Sequence, residues 1–460
     1  MLDVIGSFTT RRAWWVLAAW AAALAAAVPA WLDTLPVLLG PDAPPLPGPG
    51  PAGSIPSGPA GPLSSGGPAT VPGGHAATGA LTGALAAPGG GVPLWTGSGG
   101  VTAAVAAVVF AALTAFLRSP VAAMGVLLAA VAVQGLSAVL VSAMGLPVPP
   151  ALFAYGTAAG CALMLAHRFG ELLTAGDRPP MAVRTSLDQV GGVVATGGAA
   201  WMASCGALPL AAGAWTPGLG PALAVTAAVG IVVPLTLLPA LLAALGGRLS
   251  WTPRRRRAAP PTAAARLGRA VAARPGPWTA GAAVFLTALG AAGLVASPPP
   301  LEVVGVAGVL TALVLALVWR SLVSPAYVAS GATAVAWATG SAATGAGGGA
   351  VVFMFGLVTA VSTALLMLAR VRETARAGRD PRTSSALAVR YAGPAALAAP
   401  LAAGTLTALV YGVVPAFVLV AGCGVLSLVV VPGLTALLGT RAWWPGTATT
   451  DEPAPVLATR

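Results

Sequence analysis

The sequence predicts an all-α polytopic membrane protein: twelve transmembrane helices arranged as two parallel six-helix repeats. Three observations predict it. Of the 460 residues only 7% are charged and 57% are hydrophobic, with a mean hydropathy of +0.88. A water-exposed surface needs several times more charge than this. Apolar runs of membrane-crossing length recur along the chain, and the cations lie in short clusters between those runs.

A hydrocarbon core about 30 Å thick takes roughly 20 apolar residues in helix. That length places the first span from Trp14 to about Leu32, then spans at 101–117, 121–144, 150–167, 190–212 and 217–245. After an arginine-rich connection the rest fall at 277–297, 301–319, 322–342, 349–369, 386–410 and 412–438. The 60 glycines, with many alanines, suit helices whose backbones approach closely.

Charge tests the count. The net charge is +12 and every cation is an arginine, which invites a nucleic-acid reading, but there is no separate basic domain. With the N-terminus in the cytoplasm, Arg11, Arg118, Arg168, Arg320, Arg370, Arg441 and all the other arginines fall on the inner side. This is the positive-inside pattern, and it places both termini in the cytoplasm. Trp14, Trp15, Trp31, Trp95, Trp251, Trp278, Trp319, Trp443 and Trp444 lie at span ends, as an interfacial belt requires; Trp20, Trp201 and Trp337 lie deeper, where packing is their expected role. The start, RRAWW followed by an apolar run, also has the form of an export signal. Its removal would put the two ends on opposite sides, so a retained first helix is expected.

The second half echoes the first. Arg118 in FLRSP matches Arg320 in VWRSL, Thr157 matches Thr359, Arg168 matches Arg370, Glu171 matches Glu373, and Gly176 matches Gly378. Each pair is the same 202 positions apart, 118 to 320 for one. LLPALLAALG at 237–246 echoes VVPGLTALLG at 430–439. A parallel repeat implies a pseudo-two-fold axis along the membrane normal. Residues 1–250 then form the first repeat, 251–275 an arginine-rich cytoplasmic connection, 276–445 the second repeat and 446–460 a cytoplasmic tail. One segment breaks the pattern. The outer loop at about 40–100 is almost entirely Pro, Gly, Ala, Ser and Thr, a composition that cannot bury a core. Its counterpart in the second repeat is only SPPPLE at 297–302.

No cluster suggests catalysis. Cys161, Cys205 and Cys423 lie within apolar runs and read as small packing residues. His75 and His167 stand apart from any metal-ligand spacing. Neither a metal nor another cofactor is expected, and no nucleophile–base pair or phosphate loop points to an enzyme. Arg168 with Glu171, and Arg370 with Arg372 and Glu373, are expected to form ion pairs at helix ends. The prolines of the fifth and sixth spans, Pro209, Pro234 and Pro239, have partial counterparts in Pro394, Pro400, Pro415 and Pro432; static kinks are their ordinary role, hinges the alternative. The run Arg254, Arg255, Arg256 and Arg257 offers contact to anionic lipid headgroups, besides fixing the orientation of the connection.

The RRAWWVLAAW start, the FLRSP and VWRSL helix ends, the HRFGE and RVRE stretches and the TLLPALLAALG closure together resemble the MMPL family, the mycobacterial membrane protein large branch of the resistance-nodulation-division (RND) transporters. The resemblance implies twelve helices in the plasma (inner) membrane and export of lipids or other hydrophobic molecules. It also implies folded porter domains after the first and seventh helices, where this chain has its Pro/Gly-rich loop and the short turn. In the family, Asp-Tyr pairs on the fourth and tenth helices relay protons. Aligned on the preceding glycine motif, those pairs fall at Ala158, Ala159, Ala360 and Val361; aligned on Arg168 and Arg370, they fall at Gly160, Cys161, Ser362 and Thr363. Under either alignment the relay is absent, since no Asp or Glu occurs from 43 to 170 or from 303 to 372. Thr157, Thr359, Ser362 and Thr363 remain as the polar lining of the central helices, and they do not titrate near neutral pH. Two functions follow: a transporter without its own proton relay, or a non-transporting scaffold or regulatory subunit. The partners implied are membrane lipids, with a homo-oligomer or a full-length transporter as the protein partner, and no nucleic acid.

Overall fold

Helices make up this chain because an apolar run in lipid must satisfy its own backbone groups. The computed structural model describes residues 7–8, 12–23, 25, 110–111, 113–114, 117, 119–147, 151–206, 208–210, 218–246, 263–295, 299–343 and 348–446. In the first half, α1 (Ala13–Ala23) precedes α2 (Pro120–Ala143), α3 (Ala151–Ala175), α4 (Pro179–Ser186), α5 (Gly192–Gly206) and α6 (Leu219–Leu245). The second holds α7 (Ala263–Ala273), α8 (Pro275–Val295), α9 (Leu301–Trp319), α10 (Val323–Ser341), α11 (Gly348–Arg376), α12 (Pro381–Tyr411), α13 (Val413–Val425) and α14 (Val431–Leu438), with a closing 3-10 turn at Gly439–Trp443. No strand occurs among the described residues.

Local chemistry sets the ends of these rods. Ser119 caps α2, its Oγ accepting the Ala122 N–H at 3.2 Å ahead of Pro120. Asp380 caps α12 likewise, accepting the Thr383 N–H at 3.0 Å ahead of Pro381. A side-chain acceptor satisfies one orphan N–H, and proline in the first turn gives up no ladder bond. Just beyond α3 and α11 the chain turns at Gly176 (φ 105°) and Gly378 (φ 78°), left-handed backbone that glycine adopts without strain. Two π-helical turns interrupt the rods, at Leu187–Gly191 between α4 and α5 and at Leu426–Val430 between α13 and α14. The second comes just before Pro432, which has no N–H to give to the turn behind it.

Six described helical segments are long and apolar enough to cross a membrane: Pro120–Ala143, Leu219–Leu245, Leu301–Trp319, Val351–Arg376, Pro381–Ala408 and Val413–Trp443. Burial ranks them. The apolar window of α11 is 94% buried inside the protein, against 22% for α9. On α9, Val309, Leu313 and Leu317 are exposed, the apolar stripe expected of a helix that borders lipid. The helix α11 is the centre of the bundle.

Packing radiates from α3 and α11, which lie side by side. Helix α3 also packs on α2, α6 and α12, while α11 packs on α10, α12 and α5. The crossed contacts are reciprocal: α5 of the first half leans on α11, and α12 of the second leans on α3. A third contact between halves joins α5 to α9, where Ser204 Oγ lies 3.0 Å from Thr311 Oγ1 and 3.1 Å from the Ala307 carbonyl oxygen. Interhelical hydroxyl bonds of this kind hold helices together in lipid.

From the third expected span onward, helix coincides with each, with shifted ends. The central helices run further than expected, α3 to Ala175 and α11 to Arg376, because their polar ends continue the helical ladder into the arginine-rich loops. The expected interfacial Trp belt is only partly seen. Trp14, Trp15, Trp278 and Trp444 are exposed, but Trp319 (8% exposed) and Trp443 (4%) are turned inward. The outer loop at about 40–100, His75, Trp31, Trp95, Trp251, Arg118, Arg254 to Arg257 and the tail beyond Gly446 lie outside the described residues.

Candidate functional site

At the centre of the bundle α3, α5, α6, α11 and α12 enclose a small cavity. Glycine brings the walls together. A Cβ on Gly156 of α3 would sit 1.8 Å from the Phe355 ring of α11, and one on Gly198 of α5 would sit 2.3 Å from Ile231 of α6. At Gly230 of α6 a Cβ would come 3.1 Å from Thr157 Oγ1. Trp201 of α5 closes one side, its ring centroid 4.5 Å from that of Phe153. Space for water centres inside is about 20 Å³, enough for one or two water molecules.

The polar lining is thin. Thr157, Cys161, Thr359 and Ser362 face the cavity, with Gly160, Val358, Ala399 and Ala403 beside them. Thr157 Oγ1 donates back to the Phe153 carbonyl at 2.9 Å, and Thr359 Oγ1 donates to the Phe355 carbonyl at 2.9 Å. The same bond thus recurs 202 positions on, from 157 to 359. Thr363, fully buried, donates to the Thr359 and Ala360 carbonyls at 3.0 and 3.1 Å and lies behind the cavity wall. The Thr157 and Thr359 hydroxyls are spent on their own helices, as back-bonding residues, whereas Thr363 also meets the Cys423 thiol of α13. Of the positions matched to the family's pairs, Gly160, Cys161 and Ser362 reach the cavity, whereas Ala158, Ala360 and Val361 are buried in helix contacts; the side chain of Ala159 lies outside the described set. No carboxylate lines the space. Cys161, Cys205 and Cys423 are free thiols, and no group of His, Cys, Asp and Glu fit for a metal occurs among the described residues.

Beyond the cavity the two central helices end in a shared ion cluster. Arg168 Nη1 lies 2.7 Å from Glu171 Oε2 on α3, and Arg370 Nη1 lies 2.9 Å from Glu373 Oε2 on α11. These are the expected helix-end pairs. The pairs also cross: Arg370 Nη2 reaches Glu171 Oε2 at 3.0 Å, and Arg168 Nη2 comes within 3.7 Å of Glu373 Oε1. Gln189 accepts from Arg168 Nε. His167, which the sequence left isolated, sits with Nδ1 3.7 Å from Glu171 Oε1. Arg372 departs from expectation. Among the described residues it joins no ion pair, and its guanidinium instead lies over the rings of Trp319 (5.3 Å) and Trp443 (5.5 Å).

Residues 96–278 match the MMPL family. The MMPL resemblance carried by the helix-end motifs therefore holds over that stretch, which takes in the first central helix, α3, and its neighbours. SecDF, a translocon-associated membrane protein from Thermus thermophilus, superposes with a TM-score of 0.52 at 13% identity, covering 73% of this chain. The super-membrane-facing form of SecDF gives 0.51 at 14% identity over the same share. At this identity the likeness is one of fold, and the chain spans 61% of the SecDF length. No curated protein sequence matches the chain. Sequence reasoning missed the contributions of Trp201, Ile231, Ala399 and Ala403 to the cavity wall. For Trp201 the signal was its depth within a span; for the alanines there was none.

Proposed function

We propose that this MMPL-like membrane protein is a twelve-helix transport protein of two parallel repeats in the plasma membrane, its termini cytoplasmic. It moves lipid or another hydrophobic molecule by rocking one half against the other, with no proton relay of its own and no enzymatic activity. One observation carries the reading: the central helices of the two halves meet at a cavity whose polar groups are hydroxyls and a thiol. Proton coupling through the membrane requires a group that changes charge there, and the lining residues offer no carboxylate.

A second reading is favoured by the tightness of the same centre. A cavity with room for only one or two waters, beneath a four-membered ion cluster, suits a scaffold or regulatory subunit that binds lipid or a full-length transporter. Reconstitution in liposomes separates them. The transport reading expects flux of a fluorescent lipid that is indifferent to an imposed pH gradient. Flux driven by that gradient and lost on Ser362→Ala would overturn the claim of a missing relay. No lipid flux at all, together with stoichiometric capture of a transporter from native membranes, would replace transport with the scaffold role.

A further inference from the structure

Arg372 occupies a setting that packing alone does not explain. Its guanidinium lies over two buried indoles, 5.3 Å from the Trp319 ring and 5.5 Å from the Trp443 ring. Stacking satisfies the faces of a guanidinium but none of its five N–H donors, which project in the plane. Among the described residues Arg372 makes no hydrogen bond and no ion pair. Its Nε is buried without a partner, while the side chain as a whole is only half-buried, so the terminal nitrogens reach the surface. One turn further along α11 stands Arg376, exposed and likewise without an ion pair. The nearest carboxylate in sequence, Glu373, is engaged by Arg370 at 2.9 Å.

This placement of the two rings is built rather than incidental. The 3-10 turn that carries Trp443 is tied to the end of α9 by Ser321 Oγ, which donates to the Ala442 carbonyl at 3.2 Å, and by the Leu322 N–H, which donates to the Trp444 carbonyl at 2.9 Å. Trp319, Arg372 and Trp443 all stand at the ends of membrane-crossing segments, so the open edge of the guanidinium lies at headgroup level. A planar fork of donors, set against aromatic rings and backed by a second cation, is matched by the oxygens of a phosphate. We propose that Arg372, packed over Trp319 and Trp443 and assisted by Arg376, is a binding site for the phosphate of an anionic lipid headgroup.

The test uses the full chain in detergent micelles and native mass spectrometry, titrated with phosphatidylglycerol, phosphatidylcholine or inorganic phosphate. Phosphatidylglycerol is expected to be retained over phosphatidylcholine, and Arg372→Ala to weaken that retention about tenfold. Arg376→Ala, at an exposed position, is expected to weaken it less, and Arg274→Ala on another element to leave it unchanged. If Arg372→Ala fails to fold, Arg376→Ala alone decides. Equal retention of the two lipids, or phosphatidylglycerol retention unchanged in both variants at residues 372 and 376, overturns the proposal. Binding of inorganic phosphate with the same dependence on Arg372 keeps the phosphate chemistry but assigns it to a soluble anion.

Discussion

Arg370 of one central helix holds Glu171 of the other, Nη2 to Oε2, at 3.0 Å. The two residues belong to different halves of the chain, and each also pairs with a partner on its own helix. Glu171→Gln removes the charge that both arginines share and leaves Arg370 with Glu373 only. The expected loss is about 1.5–3 kcal/mol of stability at most, the scale of a hydrogen bond to a charged group. A double-mutant cycle with Arg370→Gln, followed by thermal unfolding in micelles, should return a positive coupling. Strict additivity would show that the cross-half contact carries no energy.

Helix α3 packs tightly against α11 at Gly156. A methyl group there would enter the Phe355 ring, at 1.8 Å from Cε2. Gly156→Ala is expected to destabilise the protein by about 1–3 kcal/mol through overpacking. The double variant Gly156→Ala/Phe355→Leu should recover part of the loss, measured by thermal unfolding. No recovery would mean that the two helices part rather than repack.

The threonines of the central helices bond back to carbonyls one turn behind. Thr157→Val and Thr359→Val are therefore each expected to cost less than about 1 kcal/mol, since the carbonyls keep their ladder bonds. Circular dichroism melts check this. A loss several times larger at either of them would reveal a bond to something other than its own helix.

Ser204 and Thr311 join the halves through α5 and α9, 3.0 Å apart and buried. Hydroxyl contacts between helices in membranes are worth about 0.6–1.7 kcal/mol. Ser204→Ala and Thr311→Val should each lose an amount in that range, and the pair together little more than either alone. Coupling energies from chemical denaturation decide it.

Asp380 caps α12 from a fully exposed position, and its carboxyl sits below the usual 3.8 because it accepts hydrogen bonds from the Thr383 side chain and backbone N–H. A carboxyl depressed in the folded state contributes stability above its unfolded pKa and loses it as pH falls through the folded one. The melting-temperature gap between the native chain and Asp380→Ala should thus be constant from neutral pH down to about pH 4 and narrow below it. A gap that widens on acidification would contradict the cap.

The sequence carried the all-helical membrane class well and the site unevenly. The 202-residue offset that matches Thr157 to Thr359 and Arg168 to Arg370 also brings those residues together in space, so both helices of the cavity and both ends of the ion cluster were legible. The walls supplied by Trp201, Gly230 and Ala399 were not, because contacts between helices depend on rotation about each axis, which a run of small apolar residues leaves open. Arg372 was misread for a specific reason. It neighbours Glu373 in sequence, but successive helical residues point about 100° apart, and that turn aims it at the tryptophans. Trp319 and Trp443 sit where a belt residue would, and position along a span cannot distinguish an outward ring from an inward one.

The ion cluster between the halves is only partly shielded, with side-chain exposure from 13% at Arg370 to 45% at Glu373. Mobile ions therefore reach it, and at about 1 M salt the screening length falls to about 3 Å, shorter than the longer of its contacts. Ionic strength becomes a control on how firmly one half grips the other. A molecule handled in concentrated salt is looser at its middle than the same molecule in dilute buffer.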